Sequence, residues 1–181
     1  MGRALVEAAL AAGHQVTVVS GPVEVEYPSA CKVRWVVSTE DMLDAAREEF
    51  ATCDGLIGAA APCDYRPVRV LDQKIQKDGQ PLMLELVETP DIVATLGAEK
   101  GARWVVGFAL ETDDQRFRAI TKLEKKRCDL MVLNGPQAMH SDENDVEFID
   151  PAGQVVGRFS GKKEEVAASL LELIGRRLIA A

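Results

Sequence analysis

Several features that mark common protein classes are absent or scarce in this 181-residue sequence. The longest uncharged apolar run, residues 56–62, is far shorter than the about 20 residues that span a bilayer, and the N-terminus shows no secretory pattern. The four cysteines form no CxxC pair and the two histidines lie far from them in sequence, which disfavours structural zinc and a disulfide framework. We therefore expect a cytoplasmic protein without a membrane segment or a metal site.

Positive charge and the common nucleotide motifs are also scarce. The chain has 21 basic and 29 acidic residues and a net charge of −8, so nothing supplies the phosphate-neutralising face that a nucleic acid needs. An anionic small ligand stays compatible, because a few local cations can hold it. The patterns GxGxxG, GxxxxGKS/T, GxSxG and HExxH do not occur. A dehydrogenase or an ordinary kinase would need its phosphate loop ahead of Met1.

Aromatic residues are rare, at 5% of the chain, whereas apolar residues reach 47%. The core must then consist of Ala, Val, Leu and Ile, which is typical of parallel sheets covered by helices. Apolar periodicity and turn residues predict alternating elements, with a long polar loop over 64–80 and N-caps at Thr39 and Thr89. The predicted helices cover 2–12, 39–51, 90–100, 112–127 and 163–179, and the predicted strands cover 14–20, 32–37, 54–61, 82–87, 103–109, 129–133, 146–149 and 154–159.

This alternation predicts one α/β domain over residues 1–181, with a doubly wound, mainly parallel sheet in a Rossmann-like or ribokinase-like three-layer arrangement and a C-terminal hairpin. Such sheets bind ligands beyond the carboxyl ends of their strands. The chain opens directly on a helix, although this architecture normally begins with a strand and a phosphate-binding turn. We therefore expect the first strand to be missing.

Small residues end the strand predicted over 54–61, and an acidic residue follows them. The residues concerned are Gly58, Ala59, Ala60 and Asp64. Small side chains would let a ligand touch the backbone, and a carboxylate would add a charge at the rim. The alternative is a strand packed under a helix and followed by a solvated turn. Cys63 has no neighbouring histidine in sequence to activate it and is interpreted as a packing residue.

Three lysines are candidates for binding or stabilising phosphate. Lys74 lies in the predicted loop, where it could fold over an anion and neutralise charge at a transferring phosphoryl group. Lys122 and Lys126 are four residues apart and share a helix face, where they could grip a polyphosphate. The alternatives are a solvated loop lysine and cations that only stabilise a helix C-terminus.

A helix N-terminus and an aromatic residue complete the candidate site. A helix N-terminus suits polar or anionic groups, although most capped helix starts bind nothing. Phe108 stands at a predicted strand end, where core packing is the alternative interpretation. The residues predicted to open the helix are Pro90, Asp91, Ile92 and Val93.

Five short segments of the sequence, taken together and in order, are a more specific signal than any one of them alone. Together they resemble phosphopantothenoylcysteine synthetase, which in bacteria is usually the C-terminal half of the bifunctional coenzyme A biosynthesis flavoprotein. Their order and spacing match over essentially the whole chain. The segments cover residues 59–67, 74–77, 89–92, 105–112 and 128–134.

The resemblance implies a two-step ligation. CTP activates 4′-phosphopantothenate as an acyl-cytidylate, with Mg²⁺ accompanying the triphosphate, and the amine of L-cysteine then displaces CMP. Lys74 would act on the reacting centre, and Lys122 and Lys126 would hold phosphates. The resemblance also implies a homodimer and a fusion to, or association with, a flavin-dependent decarboxylase. The residues implied to line the nucleotide site are Gly58, Ala59, Ala60, Asp64, Lys74, Pro90, Asp91, Ile92, Val93, Phe108, Lys122 and Lys126.

The sequence departs from the family pattern at three places. Gln76 stands where a third lysine is usual, and Cys63 stands where alanine is usual. The family also carries a strand and a Gly-rich turn ahead of the position of Met1, and that segment helps to bind phosphopantothenate. Two other functions stay open as alternatives: a CTP-binding module that cannot ligate, and an NAD(P)-linked oxidoreductase whose glycine loop lies upstream.

Overall fold

The structure is a computed structural model that describes residues 1–77, 79–110, 114–135 and 143–179. Within these ranges, helices and strands alternate along most of the chain, and no helix is long and apolar enough to cross a membrane. The helices are α1 (Gly2–Ala11), α2 (Thr39–Phe50), α3 (Ile92–Ala98), α4 (Gln115–Lys125) and α5 (Lys163–Ile174). The strands are β1 (Thr17–Ser20), β2 (Lys32–Trp35), β3 (Gly55–Gly58), β4 (Tyr65–Pro67), β5 (Leu86–Glu88), β6 (Trp104–Leu110), β7 (Leu130–Asn134), β8 (Glu143–Ile149) and β9 (Val155–Lys162).

The central sheet has five strands in the order β3-β6-β7-β8-β9. β3, β6 and β7 run parallel, and the hairpin strands β8 and β9 add to them antiparallel. β1 and β2 form a separate parallel pair, whereas β4 and β5 form an antiparallel pair. The predicted α/β fold with a mainly parallel central sheet and a C-terminal hairpin is confirmed.

Helices cover both faces of the central sheet, as the doubly wound arrangement requires. On the α1/α5 face, these two helices pack on alternate strand residues such as Val132 and Phe148. On the α3/α4 face, α2, α3 and α4 pack on the intervening residues, such as Met131 and Ile149. Successive side chains of a strand point to opposite faces, so one sheet supplies two separate cores.

The β1–β2 pair lies between the same two helical layers as the central sheet. Val16, just before β1, and Ile57 of β3 both contact the core of the α1/α5 face, whereas Val19 and Leu56 contact the other core. Among the described strands, β1 and β3 are nevertheless not hydrogen-bonded to each other. The expected strand ahead of Met1 stays a prediction.

The start of α2 differs from the prediction by one residue. Ser38, not Thr39, is the N-cap: its hydroxyl accepts a hydrogen bond from the Asp41 amide at 3.0 Å. The Asp41 carboxylate accepts in return from the Ser38 amide at 3.2 Å. This reciprocal capping box satisfies two amides at once, which a cap at Thr39 would not do. The predicted start of α4 at Thr112 lies outside the described residues.

The predicted loop over 64–80 is partly wrong. Its first residues form β4, which pairs with β5 through Tyr65 opposite Glu88 and Pro67 opposite Leu86. The predicted strand over 82–87 is correspondingly reduced to β5. Every described residue from 60 to 88 is exposed, so no alternation of buried and exposed side chains marked a strand. Residues 65–88 are called the arm below.

The C-terminal hairpin follows its predicted turn. The Asp150 carboxylate accepts the amides of Ala152 and Gln154 at 3.1 and 3.0 Å, and Gly153 adopts a φ of +74° that favours glycine. Both hairpin strands extend beyond their predicted ends, because backbone pairing continues past the apolar residues. The predicted helix to residue 179 is α5 followed by a π-helical turn at Gly175–Ile179.

Candidate functional site

The carboxyl end of β3 is in direct contact with the start of α3. A Cβ atom at Gly58 would lie 2.5 Å from Val93 Cγ2, closer than two carbon atoms can approach, so only glycine fits without a shift. The next residue, Ala59, packs against the core of the α1/α5 face, and Ala60 is exposed. The predicted small-residue segment therefore sets the position of α3 at the edge of the sheet.

Asp91 is the N-cap of α3. Its Oδ1 atom accepts a hydrogen bond from the Ala94 amide at 3.0 Å, so the predicted cap at Thr89 is wrong. The Thr89 hydroxyl donates instead to the Cys63 carbonyl. Pro90 precedes the cap and does not take the first helical position. A carboxylate is a strong acceptor for the free amides of a first helical turn, which explains why aspartate caps this helix.

Lys126 binds the same carboxylate from α4. Its Nζ atom lies 3.1 Å from Asp91 Oδ2, and the two side chains are 23% and 39% exposed. Partial burial by itself would raise the pKa of the Asp91 carboxyl, but the Ala94 amide and the Lys126 ammonium hold that pKa below its usual range. The cap and the ion pair thus fix one ammonium group beside the start of α3.

The far end of α3 is fixed to the end of α4 by close backbone contact. A Cβ atom at Gly97 would lie 2.0 Å from the carbonyl oxygen of Lys126. Lys122 lies one turn earlier on α4, on the same side of that helix as Lys126, and is half-buried. The two predicted phosphate-binding lysines are therefore neighbours on the α3/α4 face. Ile92 is buried in the core of that face.

The arm is tied to this region at its base. The Thr89 amide donates to the Asp64 carbonyl at 2.9 Å, and Arg66 pairs with Glu40 of α2. The Asp64 carboxylate itself belongs to an exposed residue. Lys74 is exposed in the segment between β4 and β5, and within the described residues it makes no ion pair. Lys74 is therefore not part of the ion pair between α3 and α4.

Phe108 lies on the opposite face of the sheet from these lysines. It belongs to β6, where it is partly buried against the core of the α1/α5 face. Its neighbour Gly107 faces the other way, where a Cβ atom would meet the sulfur of Cys128 at 2.9 Å. The site residues predicted from the sequence are therefore divided between the two faces of one sheet edge.

Comparison with protein families decides the relationship. The profile of the DNA/pantothenate metabolism flavoprotein C-terminal domain matches residues 1–178. The chain belongs to this family. The similarity also covers the arm and the β3–α3 junction, which lie within the matched residues.

Individual relatives agree with the family assignment. A protein from an unknown prokaryotic organism named "Cysteine/Cysteine sulfinic acid decarboxylase" is 40% identical over 182 residues, which cover 96% of this chain and 50% of that protein. The coenzyme A biosynthesis bifunctional protein CoaBC of Vibrio vulnificus (strain YJ016) is 38% identical over 161 residues, which cover 85% of this chain and 40% of that protein. The chain thus spans about half or less of the length of these relatives.

A solved structure of the same family confirms the fold. The crystal structure of the C-terminal domain of a coenzyme A biosynthesis bifunctional protein CoaBC has a TM-score of 0.81 and 30% sequence identity. It covers 99% of this chain and 83% of that domain. The resemblance to this half of the bifunctional protein, first drawn from five short segments, is confirmed.

In this family domain, the structure brings together Gly58, Val93, Asp91 and Lys126, and within the described residues it shows no ion pair between Lys74 and this group. Sequence reasoning missed the ion pair between Asp91 and Lys126, since the two residues are 35 positions apart and no local pattern links them. In the described parts of the chain, no group of three or more His, Cys, Asp or Glu side chains could hold a metal ion.

Proposed function

We propose that this chain is a CTP-dependent phosphopantothenate–cysteine ligase of coenzyme A biosynthesis. The family assignment and the names of the CoaBC relatives support the pathway. The observation that carries the nucleotide site is the Asp91–Lys126 ion pair, which holds an ammonium group next to the β3–α3 junction. Gly58, Ile92 and Val93 lie in that junction, with Ala59 and Ala60 at its rim.

The proposed reaction has two steps. A carboxylate oxygen of phosphopantothenate forms a bond to the α-phosphorus of CTP, and the bond to the bridging oxygen breaks, so that pyrophosphate leaves with the electron pair. The amine of L-cysteine then attacks the acyl carbon, CMP leaves, and the amine loses a proton. A carboxylate is a poor acyl donor until its oxygen carries such a leaving group, and positioning with cations can supply most of the catalysis.

Lys122 and Lys126 are proposed to hold phosphate groups. They project from one helix face and are partly buried, so their charge is less screened than that of an exposed lysine. Lys126 can turn from Asp91 to a phosphate without leaving the site, because both groups lie at the same junction. In the absence of nucleotide the carboxylate would keep the ammonium in place.

Lys74 is proposed to stabilise the charge that develops at the reacting phosphorus. It lies on the exposed arm, so its place at the nucleotide depends on how the arm is positioned. A cation placed at a developing negative charge is typically worth about 10²–10³ in rate. Phe108 and Asp64 would line the other side of the bound nucleotide.

Mg²⁺ is proposed to bind together with the triphosphate. The described residues include no group of three or more His, Cys, Asp or Glu side chains that could hold an ion. Phosphate oxygens are ligands that Mg²⁺ commonly uses in nucleotide sites. No step of the mechanism is routed through the metal.

The arm is proposed to pair with a second copy of this chain in a homodimer. It carries many exposed large apolar side chains within one short segment, and exposed apolar surface of large extent marks association sites. The exposed large apolar residues of the arm are Tyr65, Val68, Val70, Leu71, Ile75, Leu82, Met83, Leu84, Leu86 and Val87.

Size-exclusion chromatography with light scattering tests this proposal. We expect a dimer for the wild type and a monomer when two of these apolar residues are replaced by serine.

A binding and a turnover measurement test the proposed function together. Calorimetric titration with CTP measures binding, and pyrophosphate release in the presence of phosphopantothenate and cysteine measures ligation. We expect both. Binding without release would favour a CTP-binding module, and binding of NADPH in place of CTP would favour an oxidoreductase. We further propose that the chain works in the cytoplasm beside a flavin-dependent decarboxylase, since its CoaBC relatives are named as bifunctional proteins.

A further inference from the structure

The chain contains only two asparagines, and both lie at one corner of the central sheet. Asn134 is the last residue of β7, and Asn144 is the second residue of β8. β8 runs antiparallel to β7, so the start of β8 lies beside the end of β7. This is the carboxyl edge of the parallel strands, where open α/β sheets bind their ligands.

The register places both side chains on the same face. Asn134 pairs with Val146, and Asn144 stands two residues before Val146 on β8. Residues two apart on a strand share a face, and Val146 belongs to the core of the α1/α5 face. Asn134 and Asn144 are therefore diagonal neighbours on that face, about 7–8 Å apart at the backbone.

Within the residues that the structure describes, each asparagine has one unpaired amide oxygen. The Oδ1 atoms of Asn134 and Asn144 are buried and have no hydrogen-bond partner within the described residues. Asn144 as a whole is only 4% exposed. Buried polar atoms in folded proteins nearly always have a partner, because an unpaired acceptor loses its hydration without compensation. Two such atoms lie together at the edge where open α/β sheets bind ligands, which is a place where a ligand can supply the donors.

The surroundings of the pair differ from those of the two lysines that are proposed to hold phosphates. Phe108 of β6 packs on the same face, and Leu110, opposite Asn134 in the register, is 43% exposed. Lys122 and Lys126 lie on α4, across the sheet. The corner thus combines two neutral acceptors with apolar walls. Such a corner suits an uncharged, partly apolar group and not a phosphate.

We propose that Asn134 and Asn144 bind the uncharged chain of the acid substrate, by accepting hydrogen bonds from its hydroxyl and amide N–H groups. This inference rests on the proposed function, in which phosphopantothenate is the acid. That molecule carries one hydroxyl and one amide N–H near a dimethyl-substituted carbon, which matches two acceptors beside Phe108 and Leu110. The carboxylate would then extend toward the nucleotide.

Replacement of either asparagine by leucine tests the proposal. Asn134→Leu and Asn144→Leu remove the acceptor with little change in side-chain shape. We expect each to raise the dissociation constant for phosphopantothenate about tenfold, the effect of one lost hydrogen bond to a ligand, with CTP affinity unchanged. In steady-state assays the KM for the acid should rise tenfold, whereas the KM for cysteine should stay within twofold of the wild-type value.

The unfolding temperature gives a second readout. Replacing an asparagine that only stabilises the fold would lower this temperature. The leucine variants should unfold at the same temperature as the wild type or higher, because an unpaired buried acceptor has been removed. Asn134→Ala and Asn144→Ala provide the same binding test if leucine overfills the corner. Trp104→Phe is the matched control: it removes the unpaired buried Nε1 atom at the start of β6, the opposite end of the sheet, and should leave the affinity for phosphopantothenate unchanged.

Three results would contradict the proposed role of the two asparagines and leave the proposed function standing. The first is an unchanged affinity for the acid in both leucine variants, and the second is an effect only on CTP or on cysteine. The third is a marked loss of stability in both the leucine and the alanine variants. Failure of the proposed function has a different signature, since the wild-type chain itself would then bind neither CTP nor phosphopantothenate. That result would overturn both proposals.

Discussion

The contact between α3 and α4, where Lys126 binds Asp91, and the arm carry the two kinds of lysine that the proposed reaction needs, in opposite physical settings. Lys126 is 23% exposed and lies 3.1 Å from Asp91 Oδ2, on helices packed against the sheet. Lys74 is exposed on a two-stranded arm of which every described residue is exposed. The Lys126 ammonium group is held in place before any ligand arrives, whereas the Lys74 ammonium group is positioned only when the arm itself is positioned.

This difference separates binding from chemistry. A cation in a packed site costs little ordering when a phosphate arrives, so it contributes mainly to affinity. A cation on an exposed arm must be ordered at the moment of reaction, so its contribution is spent on the transition state and not on ground-state binding. The comparison therefore predicts that substitutions in the two regions change different kinetic constants.

Lys74→Gln is expected to have the largest effect. Loss of the arm cation should lower kcat about 10²–10³-fold while the dissociation constant for CTP changes less than about threefold, because the group acts on charge present only in the transition state. Pyrophosphate release and calorimetric titration measure the two constants. Lys77→Gln, three residues along the same arm, is the matched control and should change neither. Equal losses of kcat and CTP affinity in Lys74→Gln would contradict the assigned role.

Cysteine alkylation compares the same two regions without any ligand. Cys63 is exposed at the base of the arm, whereas burial raises the pKa of Cys128 to about 11. The thiolate is the reactive form, so at pH 8 only about one thousandth of such a thiol is ionised. We expect iodoacetamide to label Cys63 at least about 100-fold faster than Cys128 in the folded protein, as measured by mass spectrometry of the peptides. In guanidinium the two rates should become equal; equal rates in the folded protein would mean that the core opens readily.

Most of the central fold could be predicted from the sequence because its elements are buried on one or both faces. Apolar periodicity reports burial, and it located β6, β7 and α4 within a few residues. The arm has no buried face, so β4 left no such signal and was predicted as loop. The same reason explains the shortened β5.

The candidate site could be predicted only in part, for a related reason. Gly58 and Asp91 stood out because their local chemistry is specific: a small residue at a strand end and a carboxylate near a helix start. Their partners, Val93 and Lys126, are set by tertiary packing over distances that no local pattern spans. Phe108 was grouped with the lysines, although strand alternation places it on the other face.

Gly58→Ala tests whether the β3–α3 junction is as tightly packed as its geometry indicates. The new methyl group would lie 2.5 Å from Val93 Cγ2, so α3 must shift, and we expect a loss of about 1–3 kcal/mol in the free energy of unfolding by urea. Gly175→Ala is the control, since a Cβ atom there meets nothing within 4 Å. The double variant Gly58→Ala/Val93→Ala should recover at least half of the loss. Full stability in the single variant would show that the junction yields easily.

The smallest predicted effect is the pH dependence of the stability that the Asp91–Lys126 ion pair contributes. Because the folded protein holds the pKa of Asp91 below its ordinary value, the carboxylate stabilises the fold above the unfolded pKa of about 3.9, and this stability is lost as the pH falls through the folded pKa. The side chain is 39% exposed, so screening by solvent limits the contribution of the pair to about 1 kcal/mol.

Asp91→Asn keeps a capping oxygen and removes only the charge. Its unfolding free energy should be lower than that of the wild type at pH 7 by up to about 1 kcal/mol, and the difference should shrink as the pH falls below about 3.9 and through the lowered folded pKa of the wild-type carboxyl. Urea titrations over this pH range measure the difference, and Lys126→Gln should reproduce it from the other partner. A difference that does not shrink as the wild-type carboxyl becomes protonated would mean that the asparagine disturbs the cap itself. The ion pair would then not be what orders the ammonium group before nucleotide binds.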